Sequence, residues 1–225
     1  VDAYHVPCEQ TKNNIKEYTD KPIHVLGYWI DQRIWYPEDR EESKKKLNLD
    51  NGKLIIGSLQ RDTEGSDEVS PKLEKGPDIF CDYMEKLNKD YPIHVLLGGW
   101  RRQYVTNRLN KANIPFTYMK LPPQDTIRAM YCACDLYVMP SRYEGGPQSL
   151  LECARTNTPI ISTDVGMARE LLSEECVVNL PEDVYFPTEE DVKQNYITSE
   201  KHVLETKVKL YDSLLEDVFN AYRNK

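Results

Sequence analysis

The chain has 225 residues, of which 40% are hydrophobic and 29% charged, with a formal net charge of −8. That length holds one large domain, or one domain with a fragment of another. The acidic balance speaks against nucleic acid or an anionic membrane as the main partner, no apolar run approaches the roughly 18 residues of a spanning helix, and Val1 to His5 opens no secretory signal pattern.

Residues 1–20 read as a short extended piece around Tyr4-His5-Val6, a turn at Pro7 and a helix near Gln10 to Tyr18. Pro22 to Asp31 reads as a strand running into a turn, with Trp29 and then Trp35 as packing anchors. Glu38 to Leu49 is charged, partly helical, and has the look of a solvated connector. Lys53 to Leu59 is a buried-strand candidate that runs through Gln60-Arg61-Asp62 into a polar loop, Thr63 to Glu74. Lys75-Gly76-Pro77 closes that loop and starts a helix with Phe80, Met84 and Leu87 at i, i+4, i+7.

Ile93 to Gly99 is a second strand closing on glycines, followed by a helix from about Arg102 to Ala112 and a strand from Phe116 to Leu121. Gln124 to Cys134 is helical, with Ile127, Met130, Tyr131 and Cys134 on one face. The apolar run Asp135 to Met139 then passes through Pro140-Ser141-Arg142-Tyr143-Glu144 into Gly145-Gly146-Pro147 and a new helix. Two glycines let the backbone approach a ligand closely. Pro147 suits a first helical position, and the free N–H groups after it favour an anion. Glu144 before the turn and Glu152 on the second helical turn border one small space, with carboxylates that accept hydrogen bonds from hydroxyls. The arrangement suits a ligand with hydroxyls at both ends and phosphates between them; a capped surface helix with two solvated glutamates is the plain alternative.

Pro159 to Thr163 makes another strand, Asp164 to Met167 its turn, Glu170 to Leu172 a short helix, and Cys176 to Leu180 a last short strand. Strands and helices alternate from residue 53 to 180, which predicts a parallel sheet with helices on both faces. A final helix from about Glu200 carries an apolar stripe, Leu204, Val208, Tyr211, Leu215, Val218 and Tyr222.

The six cysteines, Cys8, Cys81, Cys132, Cys134, Cys153 and Cys176, form no C-x-x-C pair and mostly lie in apolar patterns. They read as reduced thiols of a cytoplasmic protein. The four histidines, His5, His24, His94 and His202, have no metal-ligand spacing.

Glu144 to Glu152, with seven residues between them, resembles the E-x7-E signature of retaining GT-B glycosyltransferases of the family 4 or group 1 type. The text from Pro140-Ser141 through Glu152-Cys153-Ala154 to Thr158-Pro159-Ile160-Ile161-Ser162-Thr163 is similar to that family's donor-binding half. The resemblance covers about residues 1–185. It implies an α/β, Rossmann-like parallel sheet that is one half of a GT-B fold. Residues 1–22 would be a remnant of the N-terminal acceptor domain, 23–50 an interdomain connector, 51–199 the nucleotide-sugar-binding domain and 200–225 a C-terminal bracing helix. The plain alternative for the last is a helix packed on its own sheet.

The resemblance further implies transfer of a hexose or related sugar from a nucleotide diphosphate-sugar to an acceptor hydroxyl, with configuration kept and no metal or other cofactor. No Asp-x-Asp occurs, which speaks against the metal-dependent GT-A class. Carried over residue by residue, Arg61 and Lys75 meet the donor diphosphate, and Glu144 binds sugar hydroxyls near the anomeric centre. Backbone groups at Gly145, Gly146, Pro147, Gln148 and Ser149 hold sugar and phosphate, Glu152 grips the ribose, and the backbone after Lys120 and Leu121 meets the base. The sequence departs from the pattern at Pro147, where many members have glycine and one backbone donor is lost. It departs again at Tyr28-Trp29-Ile30-Asp31, where the family has Gly-Val-Asp. The acceptor (glycan, lipid or small molecule) is open, and the rest of the acceptor domain is expected to lie outside this sequence. Two other readings are a nucleotide-sugar-binding module without catalysis, and a GT-B epimerase, for which the extra acid/base residues are not seen.

Overall fold

Five parallel strands in the order β7-β6-β3-β8-β9 form the central sheet of the computed structural model, which describes residues 2–49, 52–65 and 69–223 and all their side chains except that of Tyr222. In chain order the elements are β1 Tyr4–Val6, α1 Glu9–Lys16, β2 Ile23–Val25, α2 Arg40–Lys46, β3 Leu54–Ser58, β4 Thr63–Glu64, β5 Ser70–Pro71, α3 Pro77–Asp90, β6 Ile93–Gly99, α4 Gln103–Lys111, β7 Phe116–Lys120, α5 Gln124–Ala133, β8 Leu136–Met139, α6 Gln148–Arg155, β9 Ile160–Ser162, α7 Ala168–Leu171, α8 Glu189–Ser199 and α9 Leu204–Arg223.

Successive side chains of a strand point to opposite faces, so each central strand feeds two cores. Ile56, Val95, Leu97 and Val138 pack with Phe80, Met84 and Leu87 of α3 and Val105 and Leu109 of α4. On the other face Ile55 and Leu96 meet Ala129 and Met130 of α5, while Tyr137 and Met139 meet Leu150, Leu151 and Ala154 of α6. Burial on both faces explains why β3, β6 and β8 read as continuous apolar runs without polar alternation. The sheet reverses its winding between β3 and β8, and the crevice at their carboxyl ends is where such sheets bind ligands.

Several expectations are corrected. The strand expected over residues 22–31 is only Ile23–Val25, paired in parallel with β1 from Tyr4↔Ile23 to Val6↔Val25. The sequence division at residue 22 therefore cuts through a paired ribbon. The strand expected at Cys176–Leu180 is a single turn of 3-10 helix, Glu174–Cys176, and one bridge from Ser162 to Val177. The segment before β3 is not merely solvated: α2 packs on α5, and buried Lys44 donates through Nζ to Asp135 Oδ1 at 3.0 Å. The polar loop after Arg61 contains the two-residue strands β4 and β5; residues 66–68 of that loop lie outside the described residues.

The final helix begins at Leu204, and a separate helix, α8, precedes it. α8 gave no apolar period because its inner face is polar, with Asp191, Asn195 and Ser199 buried at i, i+4, i+8. Asp191 accepts from Ser173 Oγ and Tyr185 OH, both at 2.6 Å, and closes a capping box with Thr188. α9 lies against the β1–β2 ribbon and the connector: the Tyr211 ring meets His5 and Trp29 edge-on, both at 5.3 Å. Trp35 is buried against Tyr131, with ring centroids 5.7 Å apart.

Candidate functional site

Gly76 sets the geometry of the site. It adopts φ +62°, and a Cβ there would fall 1.9 Å from the Pro140 carbonyl oxygen. Only glycine combines that backbone with that approach. The close contact lays the loop before α3 against the loop after β8, and Glu74 O accepts from the N–H groups of Arg142 (2.8 Å) and Tyr143 (3.2 Å). Arg142 reinforces the seam with paired bonds to Asp78, at 2.8 and 2.6 Å.

This seam brings Lys75 to Glu144. Lys75 Nζ lies 2.5 Å from Glu144 Oε1, and Ser141 Oγ donates to the same oxygen at 2.9 Å. Gln60, at the exit of β3, donates through Nε2 to Lys75 O at 2.7 Å. The Glu144 side chain is 11% exposed and that of Lys75 29%, so the pair is largely withdrawn from water yet open on one side. Glu144 Oε2 has no hydrogen-bond partner among the described residues.

The glycines beyond Glu144 are used differently. Gly145 has open space where a Cβ would stand, and its carbonyl accepts from Cys8 Sγ and Thr11 Oγ1, both at 3.0 Å. A Cβ on Gly146 would strike Pro7 at 2.7 Å and the Tyr28 ring at 3.0 Å. Pro147 is the residue before the first turn of α6, one position earlier than expected, and Gln148 and Ser149 head the helix with their N–H groups. Their side chains are turned aside: Gln148 Nε2 donates to Trp29 O at 2.8 Å, and Ser149 Oγ to Met139 Sδ at 3.4 Å.

Glu152 projects from α6 toward α5, where Tyr131 OH donates to its Oε2 at 2.6 Å. Burial pushes the Glu152 carboxyl up, and the Tyr131 hydrogen bond pulls it partly back. Burial, with the Glu152 charge beside it, holds the Tyr131 phenol well above its ordinary value, so it stays a donor. Glu152 Oε1 has no partner among the described residues.

The remaining expected residues stand apart. Arg61 donates through Nε to Thr63 O at 2.7 Å and lies over the Trp100 ring at 5.3 Å. It makes no hydrogen bond or ion pair with Lys75 or Glu144. Lys120 ends β7, two strands from β3, and Leu121 follows it; both are exposed, and Leu121 N–H is taken by Gly99 O at 3.2 Å.

Two features went unread in the sequence. Arg102 is buried and reaches Asp62 Oδ2 (2.7 Å), Ser58 O (2.6 Å), Gly98 O (3.0 Å) and Ser58 Oγ (3.0 Å), tying the ends of β3 and β6 together. Burial pushes Asp62 up and the Arg102 charge opposes it. A single Arg in a loop gives no sign of this. The second is the first turn of α1. Besides Cys8 and Thr11, Glu9 N–H donates to Glu170 Oε1 at 2.8 Å, Gln10 Nε2 donates to Asp164 O at 3.2 Å, and Gln10 Oε1 accepts from Gly166 N–H. Between α1 and the Glu144 and Asp164 loops lies a cleft of about 520 Å³. Among the described residues no group of three or more His, Cys, Asp or Glu side chains is placed to hold a metal ion, and no helix is long and apolar enough to cross a membrane.

A parallel sheet in this order, with the Lys75–Glu144 pair and the head of α6 at its carboxyl edge, defines a Rossmann-like lobe of the GT-B kind. The structure of Alr3699/HepE from Anabaena in complex with UDP and glucose matches 96% of this chain and 64% of that one, with TM-score 0.77 and 13% identity. Sucrose-phosphate synthase from Thermosynechococcus elongatus matches 98% of this chain and 59% of that one, with TM-score 0.74 and 16% identity. In sequence, the family model of the group 1 glycosyl transferases matches residues 69–194.

The chain belongs to that family. It is 30% identical, over 172 residues, to the lipopolysaccharide core biosynthesis mannosyltransferase LpsB of Rhizobium meliloti (strain 1021), covering 72% of this chain and 46% of that protein. It is 24% identical over 156 residues to the D-inositol 3-phosphate glycosyltransferase of Rhodococcus erythropolis (strain PR4 / NBRC 100887), covering 64% of this chain and 33% of that one. The chain thus spans less than half the length of these two relatives.

Proposed function

We propose that this lobe binds the nucleotide diphosphate-sugar donor of a retaining, metal-independent hexosyl transfer. The observation that carries the reading is the Lys75–Glu144 pair, withdrawn from water at the mouth of the β3–β8 crevice, with the head of α6 beside it. Lys75 meets the donor diphosphate as a point charge, and the N–H groups of Gln148 and Ser149 add the anion preference of a helix start. Glu144 Oε2 accepts from sugar hydroxyls, and Glu152 Oε1 from the ribose. Arg61 joins the diphosphate only by leaving Trp100. Lys120 and Leu121 border the base.

In the reaction an acceptor oxygen bonds to the anomeric carbon. The bond from that carbon to the diphosphate breaks with its electron pair, and the acceptor proton ends on the released diphosphate. Lys75 stabilises the charge that grows on the leaving group. The acceptor machinery of the whole protein is expected in a second lobe, so this chain by itself binds donor and transfers little.

Calorimetry with UDP, GDP and ADP and their hexose conjugates, in chelator, tests the reading on the wild type and on Glu152→Gln. Selective binding by one nucleotide, weakened in the variant, is the expected result. Equal, weak binding of all three, unchanged by the variant, would sink it.

A further inference from the structure

A second cleft, of about 450 Å³, lies where the link from α6 to β9 meets the heads of α2 and α8, at the edge of the sheet where the strands begin. Buried Pro159 and half-buried Pro187, Val192 and Tyr196 supply its apolar lining. Arg40, Lys193 and Asn157 supply most of its polar lining, and all three have hydrogen-bonding capacity to spare. The Arg40 guanidinium makes no hydrogen bond among the described residues; its ion pair is a 3.6 Å contact with Asp135 Oδ1, which Lys44 Nζ already holds at 3.0 Å. Lys193 Nζ stands 3.8 Å from Glu190 Oε2, and neither it nor the Asn157 amide has a hydrogen-bond partner among the described residues. Tyr196 OH accepts from Arg155 Nη2 at 3.1 Å and keeps its own hydrogen to donate. The Arg155 guanidinium also lies over the Tyr196 ring at 4.2 Å, a third cation, itself paired with Glu200. One carboxylate borders the cleft, that of exposed Glu189.

Two underused cations, an amide and a phenol make a set rich in donors, beside two prolines, a valine and an aromatic ring. Arg40 offers the forked N–H groups that fit a phosphate, and Lys193 a point charge. The Asn157 amide and the Tyr196 hydroxyl donate to further oxygens, and the prolines and Val192 suit the apolar face of a ring. A cationic ligand would meet charges of its own sign, and a neutral one would leave both cations unused. We propose that this cleft binds a phosphate monoester carried on a small ring, a sugar phosphate or a nucleoside monophosphate. The site is separate from the donor crevice. The eight residues of α6 rise about 12 Å between Gln148 at its head and the Asn157 link beyond its end, so a phosphate held by Arg40 lies out of reach of the Lys75–Glu144 pair. The ligand is therefore no reactant of the transfer, and the proposal does not depend on the donor reading.

The test is an NMR titration of the full chain with glucose 6-phosphate, adenosine 5′-monophosphate, inorganic phosphate and glucose. Each is run on the wild type, Arg40→Gln, Lys193→Gln and Lys75→Ala; the first two alter exposed or half-exposed side chains, so the fold is expected to survive both. The expected result is saturable shifts at Asn157, Lys193 and Tyr196 with at least one of the two ring phosphates. Shifts with glucose 6-phosphate alone would identify the ligand as a sugar phosphate, and with the nucleotide alone as a nucleoside monophosphate. Arg40→Gln and Lys193→Gln should each weaken that binding about tenfold, the worth of one charge-assisted hydrogen bond, and Lys75→Ala should leave it unchanged. Four results overturn the inference. The first is no shift in the cleft with either ring phosphate. The second is inorganic phosphate binding as tightly as both, which would mean an adventitious ion only. The third is glucose binding as tightly as its phosphate, so that charge plays no part. The fourth is binding lost in Lys75→Ala and kept in the Arg40 and Lys193 variants, which would place the phosphate in the donor crevice.

Discussion

The Tyr131 hydroxyl donates to Glu152 Oε2 at 2.6 Å and leaves Oε1 of the same carboxylate free. One oxygen is anchored to the core, so the carboxylate is held in one orientation before any hydroxyl reaches it. Burial raises the Glu152 pKa and this bond lowers it. Tyr131→Phe removes only the lowering contribution. The Glu152 carboxyl then rises further, takes a proton at a higher pH and becomes a poorer acceptor. The expected outcome is nucleotide affinity that falls away at a higher pH in Tyr131→Phe than in wild type, with a stability loss of about 1–3 kcal/mol for the unsatisfied group. Calorimetric titrations at several pH values and a urea melt read both quantities; superimposable pH profiles would remove Tyr131 from the site.

Lys75→Ala deletes the cation that the donor reading assigns to the diphosphate. A charge-assisted contact of about 1.5–3 kcal/mol corresponds to roughly 10- to 100-fold in affinity for the nucleotide diphosphate. Glu144→Gln should act differently, costing affinity for the nucleotide-hexose but little for the diphosphate alone, because its free oxygen is assigned to the sugar. Equal losses with both ligands in both variants would erase the distinction between their roles.

Gly76→Ala places a Cβ at a left-handed φ and 1.9 Å from the Pro140 carbonyl oxygen. The strain and the collision together are expected to lower stability by about 3 kcal/mol. The damage should also separate Lys75 from Glu144, so nucleotide binding should weaken even where the variant remains folded. Urea denaturation and calorimetry below the transition check the two effects separately.

His202 lies where the connector crosses the start of α9: its Nδ1 donates to Tyr28 O at 3.0 Å, while buried Nε2 has no hydrogen-bond partner among the described residues. Burial, with Lys207 and Lys201 nearby, pulls its pKa from 6.5 down to about 4. The unfolded chain therefore takes up this proton first. Stability is intact above pH 6.5 and falls as pH drops from 6.5 toward 4, by a total on the order of 3 kcal/mol at 1.36 kcal/mol per unit. His202→Gln has no proton to gain, so its stability, followed by urea midpoints between pH 7 and 4.5, should decline less steeply than that of the wild type. Parallel curves would show that His202 does not titrate in this way.

The central sheet was legible because β3, β6, β8 and their following helices are spelled by local pattern: apolar runs, a Pro77 start, and Phe80, Met84 and Leu87 on one face. The seam that brings Lys75 to Glu144 was legible in its residues and not in its contacts, since a glycine in a Lys-Gly pair says nothing of which carbonyl it must clear. α8 was invisible because the residues it buries are polar, and Asp191 and Asn195 among them are satisfied by Ser173 and Tyr185 from earlier in the chain. Arg102 and the α1 turn were invisible for a related reason. A side chain that bonds to groups 40 or more residues away leaves no spacing to detect. Arg61 illustrates the converse: its place after β3 fits a phosphate contact, yet a nearby carbonyl and the Trp100 ring hold it.

All six cysteines are buried, and Cys8 alone sits where the β1–α1 unit touches the Gly145 loop. The protein thus carries its own clock for that contact. A thiol reagent reaches Cys8 only when α1 lifts from the loop, whereas Cys81, Cys134 and Cys153 sit inside the main lobe and wait for it to unfold. The ratio of the fast to the slow labelling rate reports how often the two parts separate, in the unaltered chain and without any attached probe.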